Sequence, residues 1–89
     1  MTQREKRSEP RRAVTGKVHV RLTDPKPLEI EGRLMDVSPR GFRMSHGFAS
    51  LEAGQMVEFW HVEAKGQARV IWNRIVEESV ETGFLVIGK

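Results

Sequence analysis

The protein has 89 residues, which suffice for one domain and leave no room for a second hydrophobic core. It contains no cysteine, which excludes a disulfide framework and a thiolate metal site. Fifteen Lys and Arg residues against twelve Asp and Glu residues give a net charge of +3. No segment approaches the ~18 apolar residues of a membrane span, and the charged N-terminus lacks the apolar stretch of a secretory signal. We therefore expect a cytoplasmic protein without membrane insertion.

The excess positive charge is confined to the beginning of the chain. The first twelve residues hold five basic and two acidic side chains, whereas the remainder holds ten of each. We predict that residues 1–12 form a flexible basic arm and that residues 13–89 form one folded domain. A protein that follows nucleic-acid phosphates usually spreads basic residues over a whole face. A small anion reached by the arm explains the distribution better.

Most of the chain from Val14 onward alternates apolar and polar residues with the period of two that indicates β-strands. VTGKVHVRL and LEIEGRLMDVS form the first two predicted strands, separated by the proline-containing loop TDPKP. GFRMS predicts a short third strand, and SHGFASLEAGQ is typical of a loop. MVEFWHVE and QARVIW predict a hairpin around the turn AKG, closed by Gly66, and GFLVI a last strand. Six short strands predict an all-β fold, a small six-stranded antiparallel β-barrel with little or no helix.

The segment WNRIVEESV fits two kinds of secondary structure. Its apolar and small residues also follow the spacing of an amphipathic helix, at Trp72, Ile75, Val76, Ser79 and Val80. The β-branched residues and the neighbouring strands favour a strand and a loop. Both interpretations of residues 73–80 stay open.

The first motif is Arg7-Ser8-Glu9-Pro10-Arg11, in which two arginines are four residues apart. Pro10 disfavours the helical conformation for the residue before it, so the segment should be extended or turned. A guanidinium group offers five donors in one plane. It can bind a phosphate or a guanine edge with two parallel hydrogen bonds, and it can stack on a base. The alternative is a solvated basic tail.

The second motif is DVSPRG, residues 36–41. Asp36 and Ser38 leave the strand on one face, while Val37 points toward the core. SPRG suits a type I turn, so a carboxylate and a hydroxyl would lie side by side at a strand end. Gly41 would let a ligand approach the backbone, and a carboxylate accepts the N1–H and N2–H₂ donors of guanine well. The alternative is a strand-ending turn in which the two polar side chains cap nearby amides.

The two motifs in this order resemble the PilZ domain family. An arginine pair precedes the first barrel strand, and DxSxxG follows about 25 residues later at a strand end. LEAGQMVEFW, ARVIW and TGF are similar to further strands of the family, so the resemblance extends from about Arg7 to Ile87. It implies a six-stranded barrel that binds the bacterial second messenger cyclic di-GMP.

The resemblance also implies which residues bind the ligand. Arg7 and Arg11 would bind phosphate and guanine edges, with the guanine held by Asp36 and Ser38, and Gly41 would shape the turn. The secondary candidates are Lys6, Arg12, Arg40 and Trp72. Lys6 occupies the position that bears, in the family, on whether one or two nucleotides bind, so the stoichiometry stays open. The family's common C-terminal helix has no counterpart here, so we expect one barrel mouth to be exposed or covered by a partner.

We therefore predict a receptor for cyclic di-GMP whose arm changes conformation on binding and which signals to an unidentified downstream protein. No residues suggest catalysis, and we expect no cofactor. His19, His46 and His61 show no metal-ligand spacing, so we expect no metal site. One alternative is a PilZ-like adaptor for protein partners without ligand binding. Another is a small barrel that binds single-stranded nucleic acid, which the aromatic content of 7% disfavours.

Overall fold

The computed structural model describes residues 11–23, 27–47 and 50–88, and this part of the chain consists of strands joined by turns and loops. All strand pairings are antiparallel. The strands are β1 (Arg12–Ala13), β2 (Lys17–Leu22), β3 (Leu28–Ser38), β4 (Gly41–His46), β5 (Met56–His61), β6 (Lys65–Val76) and β7 (Ser79–Gly88).

The sheet closes on itself. Its strand order is β1-β3-β2-β5-β6-β7-β4, and β3 pairs with β4 as well, so β2 to β7 form a closed six-stranded barrel. Strand β1 adds two residues beside β3. The predicted six-stranded antiparallel barrel is confirmed. Closure satisfies the backbone of the six strands without leaving a long open edge.

Apolar side chains from alternate strand positions fill the barrel. Val18 and Val20 of β2 are fully buried, as the period of two predicts. At the centre, the Phe42 ring lies 4.8 Å from the Phe59 ring and 4.6 Å from the Phe84 ring, measured between centroids. Phe42 is the second residue of β4, so this aromatic cluster holds the beginning of β4 directly below the predicted turn.

A bulge in β3 decides which way the second motif faces. The pairing of β3 with β4 shifts between Leu34 and Asp36, so that Met35 is an extra residue in β3. Strict alternation from Leu34 would place Asp36 in the interior. The extra residue changes the phase. Val37 is therefore buried in the core, and Asp36 pairs with Arg43 on the other side of the sheet.

Residues 73–80 are strand and turn. Strand β6 continues to Val76, and β7 begins at Ser79 after the turn Glu77–Glu78. Glu77 has a φ of 57°, the left-handed conformation that tight two-residue hairpins require. The strand interpretation of this segment is confirmed. Its apolar residues have the spacing of an amphipathic helix, but the segment does not form one.

The predicted hairpin of β5 and β6 is present, but the predicted position of its turn, at AKG, is wrong. Strand β5 ends at His61 and β6 begins at Lys65, so the connection lies between them. Reciprocal backbone hydrogen bonds between His61 and Ala64, of 2.8 and 3.3 Å, close it. Gly66 lies inside β6, opposite Phe59. The strand register, not the glycine, decides the position of the turn.

Candidate functional site

The second arginine of the first motif contacts the carboxylate of the second motif. Nη1 of Arg11 donates a hydrogen bond of 2.7 Å to Oδ1 of Asp36, a residue 25 positions later. The contact follows from the pairing of β1 with β3, in which Ala13 lies opposite Asp36 and the Val14 amide donates to the carbonyl of Met35. The fold therefore joins two segments that the sequence shows only as separate motifs.

Arg43, which the sequence analysis missed, binds the same carboxylate as Arg11. Nε of Arg43 donates to Oδ1 of Asp36 at 3.1 Å and to Oδ2 at 2.9 Å, and Nη2 also donates to Oδ2. Arg43 lies opposite Asp36 because a two-residue turn joins β3 to β4 with Ser38 opposite Gly41. Counting back from that turn would have found Arg43 in the sequence.

The electrostatics of Asp36 follow from its surroundings. Burial acts to raise its pKa, but hydrogen bonds from Arg43 and Arg11 and the charges of both outweigh burial, and the pKa is lowered. The carboxylate is therefore ionised at neutral pH. Its two oxygens accept four hydrogen bonds, which is about their full capacity. In this geometry Asp36 holds two arginines, whereas the sequence analysis predicts a direct bond to guanine.

A surface cavity of about 150 Å³ lies beside this cluster, and we call it the motif cavity. One side is cationic and polar, and the other is apolar. Five of the predicted site residues line it together with exposed aliphatic side chains from β6 and β7. Its principal lining residues are Arg11, Ser38, Arg40, Gly41, Trp72 and Leu85. This combination suits a flat aromatic ring that has an anionic group attached.

Trp72 forms a wall of the motif cavity and is half-buried rather than part of the core. Its indole lies against the backbone of β7. A Cβ on Gly83 would come within 2.4 Å of Cε2 and 2.5 Å of Nε1 of this ring. The Arg74 guanidinium carbon lies 5.8 Å from the ring centroid. The missing side chain of Gly83 therefore sets how closely the indole approaches the sheet.

The turn of the second motif is fixed mainly by barrel packing. A Cβ on Gly41 would lie 2.0 Å from the carbonyl oxygen of Phe84, so the close approach of β4 and β7 itself requires a glycine. The sequence analysis attributes this glycine to ligand access, for which the structure supplies a different reason. Oγ of Ser38 lies 3.5 Å from the carbonyl oxygen of Gly41, a weak hydrogen bond at the limit of the usual range. The Ser38 hydroxyl keeps capacity for a stronger partner.

Arg12 contacts a different cavity. Its Nη2 and Nη1 donate to the two carboxylate oxygens of Glu63 at 2.8 and 3.3 Å. The hydrogen bond from Arg12 lowers the pKa of Glu63. Both side chains line a cavity of about 300 Å³ at one end of the barrel, whose floor includes Phe42 and Val86. We call it the mouth cavity. Arg12 therefore contributes nothing to the motif cavity in this arrangement.

The predicted site residues thus fall into three groups. Arg11, Ser38, Arg40, Gly41 and Trp72 line the motif cavity, and Asp36 contacts it through Arg11. Ser38 and Gly41 also line the mouth cavity. Arg12 lines the mouth cavity, although the sequence analysis assigns Arg11 and Arg12 alike to the arm. Lys6 and Arg7 lie outside the described residues.

The fold and the site define a small antiparallel barrel with a cationic surface cavity. No protein-family model and no curated protein matches this chain. Within residues 11–23, 27–47 and 50–88, no three His, Asp or Glu side chains are grouped as metal ligands would be. None of the described segments forms a helix long and apolar enough to cross a membrane.

Proposed function

We propose that the protein is a non-enzymatic receptor for cyclic di-GMP that signals to a downstream protein. The observation that carries this proposal is the 2.7 Å contact between Arg11 and Asp36. It brings Arg11, one arginine of the first motif, to the DxSxxG motif beside one cavity, which supports the PilZ-like interpretation of the sequence. Localisation in the cytoplasm is part of the same proposal.

The charges around the motif cavity support an anionic ligand. Arg11 and Arg43 both donate to the carboxylate of Asp36, and Arg40 adds a further positive charge to the lining of the cavity. Among the described residues, Asp36 is the one hydrogen-bond partner of the Arg11 side chain, and it accepts from one of the five guanidinium donors. The other Arg11 donors are available for a phosphate oxygen or for the O6 and N7 atoms of guanine.

The apolar wall supports a purine. Trp72 presents a ring, and Ile71 and Leu85 are exposed beside it. Stacking of a base on an aromatic side chain is worth about 1–3 kcal/mol. A volume of about 150 Å³ is below the ~300–1,000 Å³ of typical small-molecule sites, so the cavity accommodates one ring rather than a dinucleotide.

The remainder of the ligand then requires further groups from outside the cavity. We propose that Arg7 and Lys6 supply them, and that this engagement changes the conformation of the arm. The altered surface around the arm is what a downstream protein would recognise. Cyclic di-GMP is a dianion, which matches the concentration of basic residues at the beginning of the chain.

Isothermal titration calorimetry tests this proposal directly. We expect saturable binding of cyclic di-GMP, with GTP, cyclic AMP and a single-stranded oligonucleotide as controls. Arg11→Ala should lower the affinity about 10- to 150-fold, since a charged hydrogen bond contributes about 1.5–3 kcal/mol. Arg21→Ala removes the same charge from β2, where Arg21 pairs with Glu58, and should bind like the wild type. Absence of binding by the wild type, or salt-sensitive binding of the oligonucleotide alone, would refute the proposal.

A further inference from the structure

We propose that Arg43 is a positioning residue of this site, which holds the Asp36 carboxylate so that Arg11 presents its free donors to the motif cavity. The inference rests on the proposed function, because the donors of Arg11 serve cyclic di-GMP. Arg43 itself is not among the lining residues of the cavity. Arg43 acts on the ligand indirectly, through Asp36 and then through Arg11.

The two arginines are held with different rigidity. Arg43 lies within β4, paired with Asp36 of β3 on one side and Gly83 of β7 on the other. Its side chain is 28% exposed, compared with 44% for Arg11. Arg11 precedes β1, a strand of two residues. Arg43 is therefore the fixed partner of the carboxylate, and Arg11 is the one that can respond to a ligand.

The hydrogen bonds divide the carboxylate between the two arginines. Arg43 supplies both hydrogen bonds to Oδ2 and the longer of the two to Oδ1, at 3.1 Å. Arg11 supplies the shorter bond to Oδ1, at 2.7 Å, with Nη1 alone. A forked arginine fixes the plane of a carboxylate as well as neutralising it. Arg11 is thus held at one nitrogen instead of two.

Loss of the fork at Arg43 has a defined consequence. Asp36 is 10% exposed at its side chain, and a buried carboxylate that loses a partner must find another. Arg11 is the nearest available donor, so it would turn both arms of its guanidinium toward Asp36. The donors that face the cavity would then be withdrawn from the ligand. Lysine keeps the charge at position 43 but cannot reproduce the planar two-bond geometry.

A double-mutant cycle tests this chain of action. Arg43→Lys should lower the affinity for cyclic di-GMP at least fivefold in the wild-type background, measured by calorimetry. In an Arg11→Ala background the same change should have less than a twofold effect, because the residue through which it acts is gone. Arg21→Lys, which alters an exposed arginine paired with Glu58 on β2 and β5, is the matched control and should leave affinity unchanged. Equal losses in the two backgrounds, or wild-type affinity of Arg43→Lys, would overturn the proposal.

A second readout does not depend on the ligand. In nitrogen-15 NMR spectra, Arg43→Lys should shift the side-chain Nε–H signal of Arg11 and slow its exchange with water, and Arg21→Lys should not. An unchanged Arg11 signal overturns the positioning role even if cyclic di-GMP binds. Failure of the wild type to bind refutes the proposed function, whereas a shifted Arg11 signal would still support the coupling.

Asp36→Asn provides the same cycle if Arg43→Lys reduces the folded fraction. This variant keeps the shape of the side chain and removes its charge. Its loss of affinity should likewise disappear in the Arg11→Ala background. A loss that persists there would show that Asp36 binds the ligand directly, as the sequence analysis predicts, and would reject the serial arrangement.

Discussion

Arg11 and Arg12 are neighbours in the chain, yet they bind different carboxylates and line different cavities. Arg11 donates to Asp36 at 2.7 Å beside the motif cavity, and Arg12 donates to Glu63 at 2.8 Å beside the mouth cavity. Successive side chains of an extended segment point to opposite sides, which separates the two guanidinium groups. Two basic residues that are adjacent in the sequence thus lie at two different cavities, which share Ser38 and Gly41 in their linings.

The first prediction compares these two residues. Arg11→Gln should lower the affinity for cyclic di-GMP at least tenfold, because it removes donors from the motif cavity. Arg12→Gln should change it less than threefold, since that side chain faces Glu63. Each variant removes one positive charge, so each controls for the general electrostatic effect of the other. Calorimetry at one ionic strength measures both affinities. Equal losses of affinity would contradict the assignment of Arg11, and not Arg12, to the motif cavity.

The second prediction concerns the close approach of β4 and β7. Gly41→Ala should lower the free energy of unfolding by about 1–3 kcal/mol, the usual cost of overpacking, because the new Cβ meets the backbone oxygen of Phe84. A backbone atom cannot rotate away as a side chain can. Gly88→Ala in β7 serves as the control, because a Cβ added at Gly88 has no neighbour within 4 Å. Urea unfolding should show a lower midpoint for the first variant only. Equal midpoints would show that the two strands can separate at Gly41 without cost.

The third prediction concerns the position of the indole in the cavity wall. Gly83→Ala should displace Trp72, because the added Cβ overlaps Cε2 and Nε1 of the ring. In a Trp60→Phe background, Trp72 is the one tryptophan of the chain. Its emission maximum should move to longer wavelength as the ring turns toward water, and the affinity for cyclic di-GMP should decrease. Gly88→Ala in the same background should leave the spectrum unchanged, and an unchanged spectrum for Gly83→Ala would disprove the packing.

The fourth prediction concerns a buried histidine in the barrel. His46 Nε2 lies 2.7 Å from the Thr82 hydroxyl, which donates in turn to Asn73 at 2.6 Å, so Nε2 of His46 is the donor. Burial lowers the pKa of His46 from its ordinary value of 6.5. The unfolded chain therefore takes up the proton first, and the native state loses stability as the pH falls below about 6.5.

Chemical unfolding between pH 7.5 and 5.5 measures this effect. His46→Gln, which can keep a side-chain N–H near Thr82, should flatten the decrease in the free energy of unfolding. His19→Gln, on β2, should retain the decrease and is the matched control. A wild-type stability that stays constant over this range would contradict the prediction.

Several features could be predicted because they depend on local chemistry. The period of two in VTGKVHVRL follows from the alternation of side chains along a strand, and it correctly places Val18 and Val20 in the core. Pro39 cannot continue strand pairing in the middle of a sheet, so the end of β3 at Ser38 is visible in the sequence. These properties require no knowledge of which strands become neighbours.

Other features depend on contacts between distant segments, and only the tertiary structure decided them. The pairing of β1 with β3 brings Arg11 to Asp36, and no local pattern marks that pairing, whereas the contact with Arg43 follows from the two-residue turn. The partner of Arg12 depends on the connection between β5 and β6, which the glycine at position 66 wrongly located. A carboxylate binds whichever cations the strand register brings within about 3 Å. The sequence by itself therefore marked Arg11, Arg12 and Asp36 as charged candidates. The fold decided that Arg11 and Arg43 bind Asp36 and that Arg12 binds Glu63, because contacts between distant segments depend on the register of the whole barrel.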